Sequence, residues 1–261
     1  MRKFAMLALA SVVAGSLLLA GCNEEEITWT EIEPGLSFID SIAGDGAICG
    51  ETDFVEVHYT GWLWEADENG VAGKGTKFDS SVDRDTPIAF PLGMSLVIPG
   101  WDKGLVGMKV GGKRSLLIEP AMGYGAAGRP PIIPANSTLF FDVELVSLPV
   151  VKVEVVEEGT GPIAELGDQV NMDYTGWLWI DGAKGSEFDS SKKTGRPFKF
   201  TLGAGQVIQG WEQGIKGMKV GQTANLIIPA SMGYGARGSG ARIPPNSDLI
   251  FEVKLVSIEG K

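Results

Sequence analysis

The side chains that most often carry out covalent or metal chemistry are scarce in this chain. It has one histidine, His58, and two cysteines, Cys22 and Cys49. Acyl-transfer chemistry needs a nucleophile beside a histidine, and a zinc site needs several His, Cys or carboxylate ligands together. Because no second histidine or cysteine pair completes such a set, His58 is interpreted as a surface residue. The sequence therefore predicts no bound metal and no cofactor.

Aromatic, acidic and apolar residues instead recur in the same order in both halves of the chain. The recurring motifs are Tyr-Thr-Gly, Phe-Asp-Ser-Ser, Val-Ile-x-Gly-Trp, Gly-Tyr-Gly-Ala and Ile-Pro-x-Asn-Ser. Phe78 and Phe188, which begin the second motif, lie 110 residues apart (188 minus 78). A period this long indicates duplicated domains, because solenoid repeats are about 20 to 50 residues long.

The elements that must position these motifs follow from the apolar periodicity. Apolar and polar residues alternate over 55–59 and 139–145, and again over 170–174 and 249–255. This period of two is typical of half-buried antiparallel strands.

Each copy also contains one short stretch with helical spacing. Trp101, Leu105 and Met108 lie at i, i+4 and i+7 between glycines, and the second copy repeats this spacing with Trp211, Ile215 and Met218. The predicted fold class is therefore α+β, with two tandem domains that are each a curved antiparallel sheet wrapped around one short helix.

Composition sets the class of protein and the domain boundaries. The chain is 44% hydrophobic and 21% charged, as in ordinary globular proteins, and its net charge of -11 argues against binding to nucleic acid. We predict domains at 34–148 and 149–261. The junction 147–150 lacks a flexible Gly/Ser spacer, so the domains are expected to lie close together. The first copy has five extra residues between Glu65 and Lys77, which predicts a longer surface loop.

The N-terminus resembles a secretory leader. Arg2 and Lys3 precede an apolar run over 4–20 that is too short for a stable membrane span, so residues 1–21 are predicted to be a signal peptide. The run closes on Leu-Ala-Gly before Cys22, which resembles the bacterial lipobox and implies a lipidated Cys22. The alternative is a plain secretory peptide in which Cys22 is accidental.

A lipidated Cys22 would anchor the protein to a membrane of the cell envelope. Asn23 after the cysteine resembles an outer-membrane sorting signal, so in a cell with two membranes we expect the outer one, facing the periplasm. The acidic segment 22–33 is predicted to be a solvated tether. Cys49 would then have no disulfide partner in the chain and is interpreted as a small residue with an inert thiol in or near a loop.

The five duplicated motifs closely resemble the FKBP family of peptidyl-prolyl cis-trans isomerases, from about Glu33 to Ile258. The resemblance implies a five-stranded sheet on a short helix, with a shallow apolar pocket floored by the helix tryptophan. In the first copy the family's pocket positions fall on Tyr59, Phe78, Asp79, Arg84, Ile88, Val97, Ile98, Trp101, Tyr124, Ile132, Ile133 and Phe141. In the second they fall on Tyr174, Phe188, Asp189, Phe198, Val207, Ile208, Trp211, Tyr234, Ile243 and Phe251.

Four of these residues are the catalytic candidates, namely Asp79, Tyr124, Asp189 and Tyr234. A carboxylate in apolar surroundings is costly unless it has partners or a purpose, which favours a functional role for the two aspartates. The aromatic residues Trp101, Phe141, Trp211 and Phe251 have core packing as an equal alternative. The copies differ where Ile88, Ile132 and Arg84 of the first correspond to Phe198, Arg242 and Thr194 of the second.

The resemblance implies an enzyme that isomerises X-Pro bonds of exported proteins and so acts as a folding catalyst of the cell envelope. Its implied partners are proline-containing polypeptides, macrolide inhibitors that fill the pocket, and a membrane through the lipid. One alternative is a non-enzymatic client-binding chaperone module that uses the same pockets. A second alternative is a structural envelope protein whose domains act as spacers.

Overall fold

The computed structural model describes residues 28–261. In the first domain the strands are β1 Thr30–Glu33, β2 Leu36–Ile42, β3 Phe54–Ala66, β4 Ala72–Ser80, β5 Ile88–Pro91, β6 Lys113–Ile118 and β7 Leu139–Ser147, with helix α1 at Pro99–Gly104. In the second they are β8 Lys152–Glu157, β9 Gln169–Ile180, β10 Ala183–Ser190, β11 Phe198–Thr201, β12 Thr223–Ile228 and β13 Leu249–Ile258, with helix α2 at Gln209–Ile215. Short 3-10 turns connect some of these elements.

Each domain is one antiparallel sheet around one helix, and the predicted α+β class is confirmed. The first sheet has the order β1-β2-β6-β7-β3-β4 with β5 added on β3, and the second has β10-β9-β13-β12-β8 with β11 added on β9. The sheets have seven and six strands rather than the implied five. The difference arises because β5 and β11 pair as separate short strands and because β1 extends the first sheet.

Strand β1 corrects the predicted tether. Thr30–Glu33 pairs with β2 instead of extending into solvent, and the Trp29 ring packs edge-on against Phe140 at 6.0 Å between centroids. Ordered structure of the first domain thus begins before the predicted boundary at 34. The predicted signal peptide and Cys22 lie outside the described residues.

Both predicted helices are present, but each ends before the last residue of its apolar i, i+4, i+7 pattern. Leu105 caps α1, and Met108 lies beyond its end although both side chains are buried. The helix lies directly on the sheet, because a Cβ on Gly100 would come within 2.7 Å of the Ile118 side chain. This contact places Trp101, the next residue, at the centre of the concave face. No helix in the range 28–261 is long and apolar enough to cross a bilayer.

The extra residues of the first copy lengthen a hairpin. Strand β3 continues to Ala66 and β4 begins at Ala72, and the turn between them is held by Asp67, whose Oδ1 accepts from the backbone N–H of Val71 at 2.8 Å. The predicted loop is therefore mostly paired strand, because the added residues continue the β3–β4 ladder as far as Ala66 and Ala72.

The two domains touch, as the short junction predicts. Phe54 of the first domain is buried among the core residues of the second, and Ala89 packs against the same cluster. Cys49 is buried in the core of the first domain, and burial raises the pKa of its thiol to about 11, with the charge of Asp53 adding to the shift. This thiol is therefore protonated at neutral pH, and the protonated form is not the nucleophile.

Candidate functional site

The concave face of the first domain holds a cavity of about 750 Å³. Of the predicted residues, those that line it are Tyr59, Phe78, Asp79, Ile88, Val97, Ile98, Trp101, Tyr124, Ile132, Ile133 and Phe141. Arg84 is absent from the lining residues, but its guanidinium donates to Asp79 Oδ1 and to the Tyr59 hydroxyl, which both belong to the lining, so its part in substrate binding stays a prediction. Lining residues that the sequence reasoning missed are Leu96, Pro99, Gly123, Arg129 and Pro130.

The second domain has a matching cavity of about 760 Å³. Every predicted residue lines it, namely Tyr174, Phe188, Asp189, Phe198, Val207, Ile208, Trp211, Tyr234, Ile243 and Phe251. The other lining residues are Gly205, Gln206, Ser239, Gly240, Ala241 and Arg242, of which the sequence comparison singles out only Arg242, as the counterpart of Ile132. They are loop neighbours of the motifs, so adjacency in sequence was the signal available for them.

Trp101 forms the floor of the first cavity. Its ring makes edge-to-face contacts with Tyr59 at 5.0 Å and with Phe141 at 5.1 Å between centroids. Trp101 and Phe141 are both almost fully buried and both line the cavity. Core packing and pocket lining are therefore not exclusive roles for these two residues, because the floor of the cavity is also the outer layer of the hydrophobic core.

Trp211 repeats this floor in the second domain, and Phe198 adds a wall. The Trp211 ring lies 5.1 Å from that of Tyr174 and 5.3 Å from that of Phe251, both edge-to-face. Phe198 stands edge-on to Tyr174 at 6.2 Å and stacks on Phe200 at 5.7 Å. Because Phe198 is 41% exposed, its outer part is free to contact a ligand.

A tyrosine and an aspartate are hydrogen-bonded at the edge of the first cavity. The Tyr59 hydroxyl donates to Asp79 Oδ2, and Arg84 Nη1 donates to Asp79 Oδ1 at 2.5 Å. The backbone N–H of Ser80 also donates to Oδ1 at 2.8 Å. Burial by itself raises the pKa of Asp79, but the hydrogen bonds from Tyr59 and Arg84 outweigh burial and the pKa is lowered overall. Asp79 is therefore a carboxylate at neutral pH, held in one orientation.

Replacing Arg84 with alanine should raise the pKa of Asp79, because burial is then opposed mainly by Tyr59 and the Ser80 N–H. Because the pKa of Asp79 is lowered in the folded protein, its ionised carboxylate stabilises the fold. This contribution to the free energy of unfolding is present above the usual carboxyl pKa of about 3.9 and is lost as the pH falls through the native value. A carboxyl NMR titration of the native protein and of Arg84→Ala measures the change. Lys77→Ala is the control, since Lys77 pairs with Asp83 and not with Asp79. An unchanged Asp79 midpoint in Arg84→Ala would contradict the prediction.

The corresponding pair in the second domain is less constrained. The Tyr174 hydroxyl donates to Asp189 Oδ2 at 2.6 Å, and the nearest cation is Lys193, whose Nζ lies 3.9 Å from Oδ1. Thr194, which corresponds to Arg84, bonds backbone carbonyls instead. Burial, followed by the charge of Asp189, raises the pKa of Tyr234, so this hydroxyl stays protonated at physiological pH.

Each cavity also contains donors without a partner in residues 28–261. The hydroxyls of Tyr124 and Tyr234 donate to no other group there, and neither do the backbone N–H groups of Ile98 and Ile208 at the helix starts. Since these residues line the cavities, two donors on each are free for a carbonyl-bearing ligand.

The second serine of Phe-Asp-Ser-Ser explains the environment of the histidine. Ser81 Oγ accepts from the Tyr59 backbone N–H at 2.7 Å and lies 3.2 Å from His58 Nδ1. His58 is partly buried, so its interpretation as a simple surface residue is wrong. The serine anchors the strand that carries Tyr59 and has no role inside the cavity.

The described part of the chain holds no group of three or more His, Cys, Asp or Glu side chains arranged for a metal ion. The site is therefore characterised by apolar shape, oriented donors and one carboxylate per domain.

Each domain is thus a curved antiparallel sheet on a short helix, with a tryptophan at the floor of a cavity and a Tyr–Asp pair at its edge. The family model for FKBP-type peptidyl-prolyl cis-trans isomerase matches residues 47–146 and 161–256. The chain therefore belongs to this family, and the tandem arrangement predicted from the sequence repeat is confirmed.

Curated relatives and solved structures are similar to this chain to different extents. The chain is 37% identical over 213 residues to human "Peptidyl-prolyl cis-trans isomerase FKBP10", which covers 79% of this chain and 34% of the relative. Over 109 residues, which are 42% of this chain and 98% of the relative, the chain is 48% identical to "FK506-binding protein 1" of Dictyostelium discoideum. A crystal structure of the three FKBP domains of wheat FKBP73 aligns at 28% identity and a TM-score of 0.43, over 88% of this chain and 98% of that one. The chain spans about a third of the length of the longer curated relatives.

Proposed function

We propose that both domains catalyse cis-trans isomerisation of X-Pro peptide bonds in polypeptides. The observation that carries this proposal is the pair of aromatic cavities, each with a tryptophan floor, a Tyr–Asp pair at one edge and two donors free for a carbonyl. The family to which the chain belongs is named for this activity.

The chemistry requires no nucleophile. Rotation about an amide has a barrier of about 18–20 kcal/mol because resonance keeps the bond planar, and X-Pro bonds exchange over tens of seconds or more. The planar amide has the larger charge separation, so transfer from water to an apolar cavity destabilises it relative to the twisted amide. A cavity that grips the proline ring and leaves the preceding amide in apolar surroundings therefore lowers the barrier.

Each lining group has a definite part in this reaction. The rings of Trp101 and Phe141 contact the proline, and the Ile98 N–H and the Tyr124 hydroxyl donate to substrate carbonyls on either side. Asp79 lies next to the twisting bond as a fixed negative charge. In the second domain Trp211, Phe251, Ile208, Tyr234 and Asp189 take the same parts.

A soluble form that begins at Ile27 should accelerate cis-trans exchange of an X-Pro peptide without metal or nucleotide, because all groups named above belong to the chain. Exchange is followed by NMR or a protease-coupled assay, and a chelator should not change the rate. A macrolide that fills FKBP pockets should inhibit by competing for the same apolar surface. Binding of the peptide without faster exchange would show a client-binding module instead of an enzyme.

We further propose that the substrates are exported proteins and that the protein is held to an envelope membrane by a lipid on Cys22. The basis is the charged and apolar leader at 1–20 followed by the lipobox-like Leu-Ala-Gly-Cys, with Asn23 favouring the outer membrane of a two-membrane cell. Folding catalysis on newly exported chains fits an anchored enzyme whose cavities need no cofactor from the cytosol.

Replacing Cys22 with serine should move the protein from the membrane to the soluble fraction, because serine cannot form the thioether to the lipid and one uncleaved short leader is a poor span. Isomerase activity should persist, since Cys22 precedes both cores. Fractionation with an activity assay on each fraction measures both. Full membrane retention of Cys22→Ser would identify the leader itself as the anchor.

A further inference from the structure

A second, larger groove lies on the outer side of α1 in the first domain, with a volume of about 1020 Å³. We call it the helix groove and define it by its lining residues Ile32, Phe38, Val97, Pro99, Val106 and Arg114. Strand β1 forms one wall, and the segment that leads into α1 forms the other. None of these positions is a catalytic candidate, although Val97 belongs to the predicted pocket.

The floor of the helix groove is rigid. Arg114 is 5% exposed and donates to both carboxylate oxygens of Asp40, at 2.7 and 2.9 Å. Its third nitrogen donates to the carbonyls of Gly104 and Val106, at 2.8 and 3.1 Å. The guanidinium also lies 4.0 Å above the Phe38 ring. With its donors used in this way, Arg114 presents a flat stacked surface and not a free charge.

Polar groups along the walls are also engaged within the domain. Lys103 Nζ pairs with Glu33 Oε1 at 2.5 Å. The Asp102 carboxylate accepts from the backbone N–H groups of Gly93 and Ser95, at 3.1 and 3.2 Å. Ile32 is 39% exposed at the mouth of the groove. Glu51, an exposed carboxylate, also lines the groove. Apart from this group, the surface offered to an occupant is mainly apolar, which selects apolar side chains over an anionic or phosphate-bearing ligand.

The helix groove is continuous with the candidate active site. Val97 and Pro99 line both the groove and the first cavity. The free N–H of Ile98, between them, is the group proposed to hold the substrate backbone. A polypeptide held there necessarily crosses this ridge, and an extended chain advances about 3.3 Å per residue, so its next few residues reach the groove.

The second domain is not built in this way. It has no strand equivalent to β1 within the described range, and its sheet ends at β8. At the positions of Lys103, Val106 and Arg114 it carries Gln213, Lys216 and Ala224. The buried guanidinium and one apolar wall residue are thus both replaced, which makes the groove a property of the first domain.

We propose that the helix groove is a subsite for apolar residues that flank the proline of a polypeptide substrate, and that it gives the first domain the greater share of client binding. This inference rests on the proposed isomerase function, because the proline cavity fixes the register of the chain. The class of ligand is an extended segment rich in Leu, Val or Phe beside an X-Pro bond.

The test compares two labelled peptides with the same central X-Pro bond, one with leucine and valine on both flanks and one with serine and glycine. Binding to the soluble form is measured by fluorescence anisotropy. Ile32→Asp should lower the affinity for the apolar-flanked peptide by about tenfold, because it removes one aliphatic side chain that the bound peptide would bury and adds a charge. The serine-flanked peptide should bind as before. Ile32→Leu should restore binding, and Ile42→Asp, an exposed isoleucine outside the groove, should have no effect.

Val106→Lys provides a second route if Ile32→Asp does not fold, since the second domain carries lysine at this position. Equal affinity of the native protein and both groove variants for the apolar-flanked peptide would overturn the proposal. A native dimer that Ile32→Asp converts to monomer in light scattering would assign the groove to a second copy and also overturn it.

Exchange rates measured on the same samples separate the subsite hypothesis from the isomerase hypothesis. If peptide affinity depends on the groove but exchange is not accelerated, the subsite is supported and the isomerase function is refuted. If exchange is accelerated but peptide affinity does not depend on Ile32, the isomerase function is supported and the subsite is refuted.

Discussion

The double variant Asp79→Val, Asp189→Val should lose about 10- to 100-fold in kcat/KM toward an X-Pro peptide. Each substitution removes the fixed carboxylate that we propose lies beside the reacting bond. Interactions with a charged group contribute about 1.5–3 kcal/mol, and roughly 1.4 kcal/mol corresponds to a tenfold change in rate. The tyrosine partners Tyr59 and Tyr174 also lose their acceptors. The measurement is peptide exchange, with folding confirmed by circular dichroism.

Among the single variants, Asp189→Val should reduce activity more than Asp79→Val. The second cavity has Phe198 where the first has Ile88, and an aromatic wall in contact with Tyr174 buries more apolar area against the proline. Asp79→Asn and Asp189→Asn are the matched controls, because they remove the charge and keep an acceptor for the tyrosine. The opposite order, with most activity lost in Asp79→Val, would assign turnover to the first domain.

Gly61→Ala should lower the free energy of unfolding by about 1–3 kcal/mol, as overpacking in a dense core does. A Cβ on Gly61 would lie 2.6 Å from the Phe78 ring and 2.7 Å from the Phe141 ring. These rings pack edge-to-face at 5.4 Å and line the proline cavity, so one methyl group must push them into it. Activity of the first domain should therefore fall together with stability.

The control for this prediction is Gly73→Ala in the same hairpin. A Cβ on Gly73 would have no heavy atom within 4 Å, so the change should stay within about 0.5 kcal/mol. Thermal and denaturant unfolding of both variants provide the comparison. A similar loss of stability in Gly73→Ala would contradict the prediction, because it would show that the loss does not depend on contact with the two rings. Gly176, which contacts Phe188 and Phe251, offers the same test in the second domain.

The Tyr-Thr-Gly motif occurs in both copies, at 59–61 and 174–176. The motif marks the family, but only the packed structure shows that its glycine exists to admit two aromatic rings. Likewise, the apolar neighbours of Asp79 in the sequence indicate a functional carboxylate, whereas its orientation by Arg84 depends on a hydrogen bond across a turn.

The sequence alone determined the duplication, the α+β class and the second cavity's predicted residues, because those features are written in contiguous motifs and in short-range periodicity. Only the tertiary structure decided that β1 pairs with β2 and that a helix groove exists in one domain. The groove depends on the pairing of Asp40 with Arg114, which are 74 residues apart. Strand register brings such residues together, and register is set by burying a whole face of the sheet at once, so no local pattern records it.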